Sequence, residues 1–216
     1  MKIVKQSVDI IKFNAQSMLS NIEKAGRTCY KSEAKITKDS TDAFIKMIIK
    51  RGHESVLEHE KITARIVCDR AVSHEIVRHR LASFSQESTR YVNYKEGIEV
   101  IKPPFAGNKR ERTGKEVAWT HQMNAAERTY KALLDWGCTP QIARSVLPNA
   151  LKTEIVVTAN LREWRHILNL RCSPAAHPQI REISFMLLKG FMEKVPVIFN
   201  DIYKKYKKDY AVFLAR

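Results

Sequence analysis

RHRLASFSQESTRY, residues 78–91, opens on three cationic or titratable side chains, Arg78, His79 and Arg80. Small hydroxyl, amide and carboxylate groups follow, namely Ser83, Ser85, Gln86, Glu87, Ser88 and Thr89, and Arg90 and Tyr91 close the run. Guanidinium forks match phosphate oxygens and carbonyls, and hydroxyls and amides complete a hydrogen-bond shell. The composition suits an anionic, hydrogen-bond-rich small molecule such as a nucleotide. Immediately upstream, AVSHEIV puts Val72, Ile76 and His79 at helical i, i+4, i+7 spacing. The arginines therefore leave the end of a packed helix, held by scaffold rather than floating on a solvated loop.

Outward from this stretch, the chain alternates helical and extended patterns. Residues 2–11 read as a strand, and a helix runs from Asn14 to Gly26 with Met18, Leu19, Ile22 and Ala25 on one stripe. Ser40 or Thr41 can cap a second helix with Phe44, Ile45, Ile48 and Ile49 inside, ending at Gly52. KITARIVCD and ALKTEIVVTA alternate as half-buried strands. IEVIKPPF is a short strand stopped by Pro103, residues 107–115 read as a charged loop, and a long helix then runs to Gly137. Thr139 and Pro140 start a short helix. Asn160 with Glu163 resembles a capping box opening LREWRHILNLR. An amphipathic helix with Ile180, Ile183, Leu187 and Phe191 follows, and a last one with Ile198, Ile202 and the tail tyrosines. There is no repeat, no dividing linker and no GxGxxG of a Rossmann fold. One α+β domain over 1–216 is expected, with a mixed or antiparallel central sheet and long helices.

Bulk properties narrow the function. The 216 residues carry a net charge of +15, with 44% hydrophobic and 28% charged residues, an ordinary globular composition with an attraction to polyanions. No apolar run reaches the length of a membrane span, and MKIVKQSVDI lacks the apolar block of a signal peptide, so a cytoplasmic location is expected. The four cysteines are scattered, without a CxxC, and read as reduced thiols. Cys172, beside Arg171, is the one whose neighbour could lower its pKa. HESVLEH begins like a zinc-protease motif, but Leu57 stands where the second histidine belongs, and no metal site is expected.

On a wheel of about 100° per residue, the helix after Asn160 turns Leu161, Trp164, Ile167 and Leu168 inward and Arg162, His166 and Asn169 outward. Arg171 falls on the apolar side beside Trp164, where a cation is costly unless a polar ligand meets it. Arg144, between Ala143 and Val146, raises the same question.

These elements together resemble the flavin-dependent thymidylate synthases. The RHR, seven residues, Ser-x-Arg signature is intact at Arg78-His79-Arg80 and Ser88-Thr89-Arg90, and GHESVLEH, ARSVLP and NLREWRHILNLR resemble that family's other elements in its order. The resemblance implies a homotetramer with FAD sites at subunit junctions. It also implies conversion of dUMP to dTMP, with methylene-tetrahydrofolate giving the carbon and NADPH reducing the flavin. By the same resemblance, Ser55, Arg78, His79, Arg80, Gln86, Asn160, Arg162 and His166 look like flavin contacts. Glu75, Ile76, Val77, Arg78, Gln86, Glu87, Ser88, Thr89, Arg90, Arg144 and Arg171 resemble the dUMP-binding positions, with Arg171 polarising the uracil ring at N3 and its neighbouring carbonyl. Gln86 stands where some relatives carry Glu. The CSPAAHPQ loop is longer than the family's, and His177 and Gln179 receive no role. A second class, a basic nucleic-acid-binding module, rests on the net charge and the arginine stretch; nucleic acid is not expected as the primary partner.

Overall fold

In the computed structural model, which describes residues 1–214, β1 (Lys2–Val4) pairs in parallel with β5 (Glu99–Ile101), Ile3 opposite Val100. A four-stranded antiparallel sheet has the order β2 (Ser7–Ile10), β3 (Lys61–Asp69), β6 (Lys152–Asn160), β4 (Ala82–Gln86). The expected α+β class holds. The single strand expected over 2–11 is two strands in two sheets, and the central stretch itself contains β4, too short to show a clear alternation. The last two residues of the domain expected over 1–216 lie outside the described residues.

The chain forms two compact units. The first comprises Met1–Ser7, Ile66–Arg78 and Ser85–Ile155. Its core is Ile98, Val100, Met123 and Leu151, with Trp119 and Tyr94 packed against it, and Tyr130 is fully buried. Here α3 (Arg70–Ile76) is capped by Asp69, whose Oδ1 accepts from Val72 N–H at 2.7 Å. That cap starts the helix, and buried Val72 and Ile76 anchor it. Helix α4 (Lys109–Asp135) opens on a capping box between Asn108 and Glu111. Most of the charged stretch 107–115, from Lys109 on, is therefore the first turns of a helix rather than a loop. Without an apolar stripe there, its start is written only in the cap. Helix α5 (Pro140–Ala143) leads into a 3-10 turn, Arg144–Val146.

The second unit comprises Val8–Arg65, His79–Phe84 and Val156–Arg216. Helices α1 (Ala15–Cys29) and α2 (Ser40–Lys50) pack together through Ile22, Phe44, Ile45 and Ile48, and α1 does not stop at Gly26. A Cβ at Gly26 would sit 2.4 Å from the Phe44 ring, so this glycine is there for close packing. Ser40 and Thr41 donate to buried Glu23 at 2.8 and 2.7 Å. A 3-10 turn, Glu54–His59, precedes β3 and packs against α6 (Leu161–Arg171). The apolar core continues through α7 (Pro178–Lys194) and α8 (Pro196–Lys205), where Trp164 meets Phe191 edge-on and Phe191 stacks on Phe199. Helix α9 (Lys207–Leu214) turns Tyr210 inward against Phe185, so the basic tail is anchored by its tyrosines.

Candidate functional site

In the second unit the polar groups converge on α6. Trp164, fully buried, donates from Nε1 to Ile62 O at 2.9 Å and fixes the helix against β3. Asn160 Oδ1 accepts from Glu163 N–H at 2.8 Å, the first half of the expected capping box. The Glu163 side chain points elsewhere: its Oε1 lies 3.6 Å from His79 Nδ1, with both side chains nearly out of solvent. On the other edge of that imidazole, Arg171 Nε donates to His79 Nε2 at 3.1 Å. His166 meets the same ring edge-on, with centroids 5.9 Å apart. Burial, then the Arg171 and His166 charges, push the His79 pKa down to about 4, so this imidazole is neutral near pH 7. Burial raises the Glu163 carboxyl, with His166 opposing.

Beside this cluster lies a groove of about 560 Å³ whose lining includes Glu58, Lys61, Arg80, Ser83, Thr158 and Asn160. Arg162, exposed, pairs with Glu58. Ser55 is exposed on the 3-10 turn and does not line the groove. The neighbouring His53 is held by another partner, its Nδ1 2.8 Å from Tyr30 Oη. Cations, hydroxyls and an amide around an open groove form a donor set that fits the diphosphate and ribityl groups of a flavin dinucleotide.

The nucleotide-type positions of the first unit form their own network. Gln86 Nε2 donates to Ser73 Oγ at 2.9 Å and Thr153 Oγ1 at 3.2 Å. Ser73 Oγ itself donates to Arg70 O at 2.9 Å, so it must accept from the amide, which fixes which way Gln86 faces. Glu87 accepts from Tyr94 Oη at 2.7 Å and from Lys152 Nζ at 3.4 Å. Arg144 Nη1 donates to buried Thr89 at 3.3 Å, and Arg90 Nε to Gln141 Oε1 at 3.1 Å. Ser88 Oγ accepts from Arg90 N–H at 3.3 Å. Glu75 and Ile76 end α3, and Val77 and Arg78 follow it with exposed side chains. Arg144 and Thr89, distant in sequence, thus come together, as do His79, His166 and Arg171.

One sequence reading, a lowered pKa at Cys172, is corrected here. Cys172 is fully buried and burial pushes its thiol up to about 12, so it is not a nucleophile. The sequence reading left without partners Glu163, Tyr94, Lys152 and the buried Arg165. Glu163 and Arg165 find theirs through the fold, Tyr94 reaches Glu87 seven residues back, and Lys152 pairs with Glu154 two residues on as well as with Glu87.

Residues 12–197 match the family model described as thymidylate synthase complementing protein. Among curated relatives, the flavin-dependent thymidylate synthase of Geobacter sulfurreducens is 38% identical over 185 residues, covering 82% of this chain and 78% of that protein. The enzyme of the same name from Corynebacterium diphtheriae is 37% identical over 195 residues, covering 83% and 77%. The fold is similar to that of a UMP/dUMP methylase, PolB from Streptomyces cacaoi, solved with 5-Br UMP: TM-score 0.78, 22% identity, 95% of this chain and 97% of that one. By the family model and by its curated relatives alike, the chain belongs to the thymidylate synthase complementing protein family, the flavin-dependent thymidylate synthases.

Proposed function

We propose that this protein makes dTMP from dUMP by reductive methylation, with FAD as its cofactor, methylene-tetrahydrofolate as the carbon donor and NADPH as reductant. The observation that carries the reading is the Arg171–His79 hydrogen bond, which joins two motif elements 92 residues apart around a neutral, buried imidazole.

Turning a transferred methylene into a methyl group takes two electrons, which NADPH supplies through the flavin. When bound, FAD supplies that redox chemistry; the chain supplies position and field. Arg80, Ser83 and Asn160 in the groove, with Ser55, Arg162 and His166, would hold the flavin; Arg78 is a flavin contact by the family resemblance alone. His79 is buried, and its ring nitrogens face Arg171 and Glu163 within the chain. Arg90, Arg144, Thr89 and the Gln86 amide would hold the nucleotide. Ser88 Oγ already accepts from Arg90 N–H, which leaves its hydroxyl hydrogen to donate to the nucleotide.

Attack from C5 of uracil requires electron density there and a place for charge at N3 and O4. A guanidinium held in a partly dry site stabilises that charge as oxyanion-hole donors do. Arg171 is half-buried, and its Nε is oriented by an uncharged acceptor, the His79 imidazole.

Homotetrameric assembly, with sites completed at subunit junctions, fits the surface around these arginines. Apolar neighbours stand exposed beside them: Leu81 at 74% and Tyr91 at 79%, with Ile142 and Leu170 near Arg144 and Arg171. Such side chains are the material of interfaces. No helix among the described residues is long and apolar enough to cross a membrane, and we place the enzyme in the cytoplasm.

The test is direct. Purified protein should show the visible absorption of bound flavin, and should oxidise NADPH in a dUMP-dependent way while forming dTMP. A colourless protein that stays colourless with added FAD, or NADPH oxidation without dTMP, contradicts the proposal.

A further inference from the structure

Glu163 reads in the sequence only as half of a helix cap, yet it sits in the first turn of α6 with its side chain 8% exposed, facing His79. The hydrogen positions around that imidazole follow from chemistry. A guanidinium only donates, so the His79 Nε2 that lies 3.1 Å from Arg171 Nε must present a lone pair. A neutral imidazole then carries its one hydrogen on Nδ1, on the side of Glu163. At 3.6 Å the carboxylate is beyond hydrogen-bond length, but its charge still favours a hydrogen on the nitrogen that faces it. In the reversed tautomer, Nε2–H would point at Arg171 Nε–H and the Nδ1 lone pair at the carboxylate. Both contacts would be repulsive.

The same reasoning argues against a cation here. The ligand atoms of His79, Glu163 and His166 lie within 4.8 Å of one another, a spacing that could suit a metal. A metal on Nδ1 would put the hydrogen on Nε2, against Arg171.

We propose that Glu163 is a positioning residue: its carboxylate selects the His79 tautomer that holds the Arg171 guanidinium in aim. The proposal rests on the reading of Arg171 as the group that polarises uracil, and extends it by one residue. Glu163 touches no substrate; it acts through His79.

The tautomer is measurable without turnover. In protein labelled with 15N histidine, with the His79 signals assigned by their loss in His79→Gln, the wild type should show Nδ1 protonated and Nε2 bare. Glu163→Gln replaces the charge by an amide dipole whose oxygen can still face Nδ1, and should preserve this pattern. Glu163→Met removes the acceptor at similar volume and should move the hydrogen toward Nε2. In kinetics, Glu163→Met should lower kcat for dTMP formation about tenfold, with KM for dUMP changed less, while Glu163→Gln stays within about threefold of wild type. In an Arg171→Lys background, Glu163→Met should cost no more than about twofold further, because its effect runs through that side chain.

The proposal is overturned by a wild-type hydrogen on Nε2, a result that does not depend on any variant folding. It is equally overturned by an unchanged tautomer in folded Glu163→Met, or by the same tenfold loss in both backgrounds. Near-normal turnover of Arg171→Ala would instead refute the reading of Arg171, whatever the tautomer shows.

Discussion

Helix α6 carries two inward-turned arginines that meet different partners. Arg165, 4% exposed, is enclosed by acceptors: Glu54 Oε1 at 3.0 and 3.1 Å, Asp201 at 2.7 and 2.8 Å, and the Ile198 carbonyl. Arg171 is half-buried, and its Nε meets a neutral imidazole. In the first, two carboxylates cancel the charge, and the ion cluster ties α6 to the 3-10 turn and α8. In the second, the Nε contact is to a neutral ring that orients the side chain. The contrast sets an arginine that holds the fold beside the one we propose acts on the nucleotide, on the same helix.

The most damaging way to probe the contrast is at the enclosed arginine. Arg165→Met would strand Glu54 and Asp201 and should cost about 3 kcal/mol, the low end for a broken buried pair, because the Asp201 side chain is half exposed. Urea unfolding measures it; a loss below about 1 kcal/mol would mean the cluster is as weak as a surface pair.

Acid should separate the two arginines more gently. Unfolded His79 takes its proton near 6.5, folded His79 only near 4. Between those values the unfolded chain holds more protons, so stability falls as pH drops from about 6.5 to 4. Arg171, His166 and Glu163 face this imidazole. Glu163, its carboxyl raised by burial, works in the opposite sense above its ordinary 4.5 and offsets part of the loss. For Asp201, burial raises the pKa, but the Arg165 hydrogen bonds outweigh it and hold the carboxyl low. Its stabilisation is therefore present above its ordinary 3.8 and lost only as pH falls below that, through the lowered value. Unfolding followed against pH should show an upper limb that flattens in His79→Gln and a lower limb that does not. A single limb below 3.8 in the wild type would contradict the assignment of a neutral, buried His79.

The smallest effect is expected from charges outside both clusters. Lys204, Lys207 and Lys208 are exposed, so replacing all three with Gln should leave dTMP formation within about twofold and weaken only salt-sensitive binding to polyanions. Larger losses of turnover would assign the tail a part in the reaction. Deleting the tail would be a poorer probe, because Tyr206 and Tyr210 are buried and Tyr206 Oη donates to Asn169 O at 2.7 Å.

Much of this was legible in the chain. Alternation located β3 and β6, and the inward stripes of α6 and α7 fell where the wheel put them, because one-face burial leaves a periodic trace. Arg171 stood out as a cation on an apolar stripe. The start of α4 did not, since a helix polar on all sides has no stripe. Arg165 and Glu163 were illegible for a different reason. Arg165 takes its acceptors from positions 111 and 36 residues away, and Glu163 looks like half of a helix cap until the fold brings His79 to it.

The most direct measurement is the rate of dTMP formation by Arg171→Ala, with flavin absorbance and urea stability followed on the same sample. FAD should stay bound, stability should fall by less than about 1 kcal/mol, and kcat should drop at least about 100-fold. Turnover near the wild-type rate in that folded, flavin-loaded variant would contradict the account.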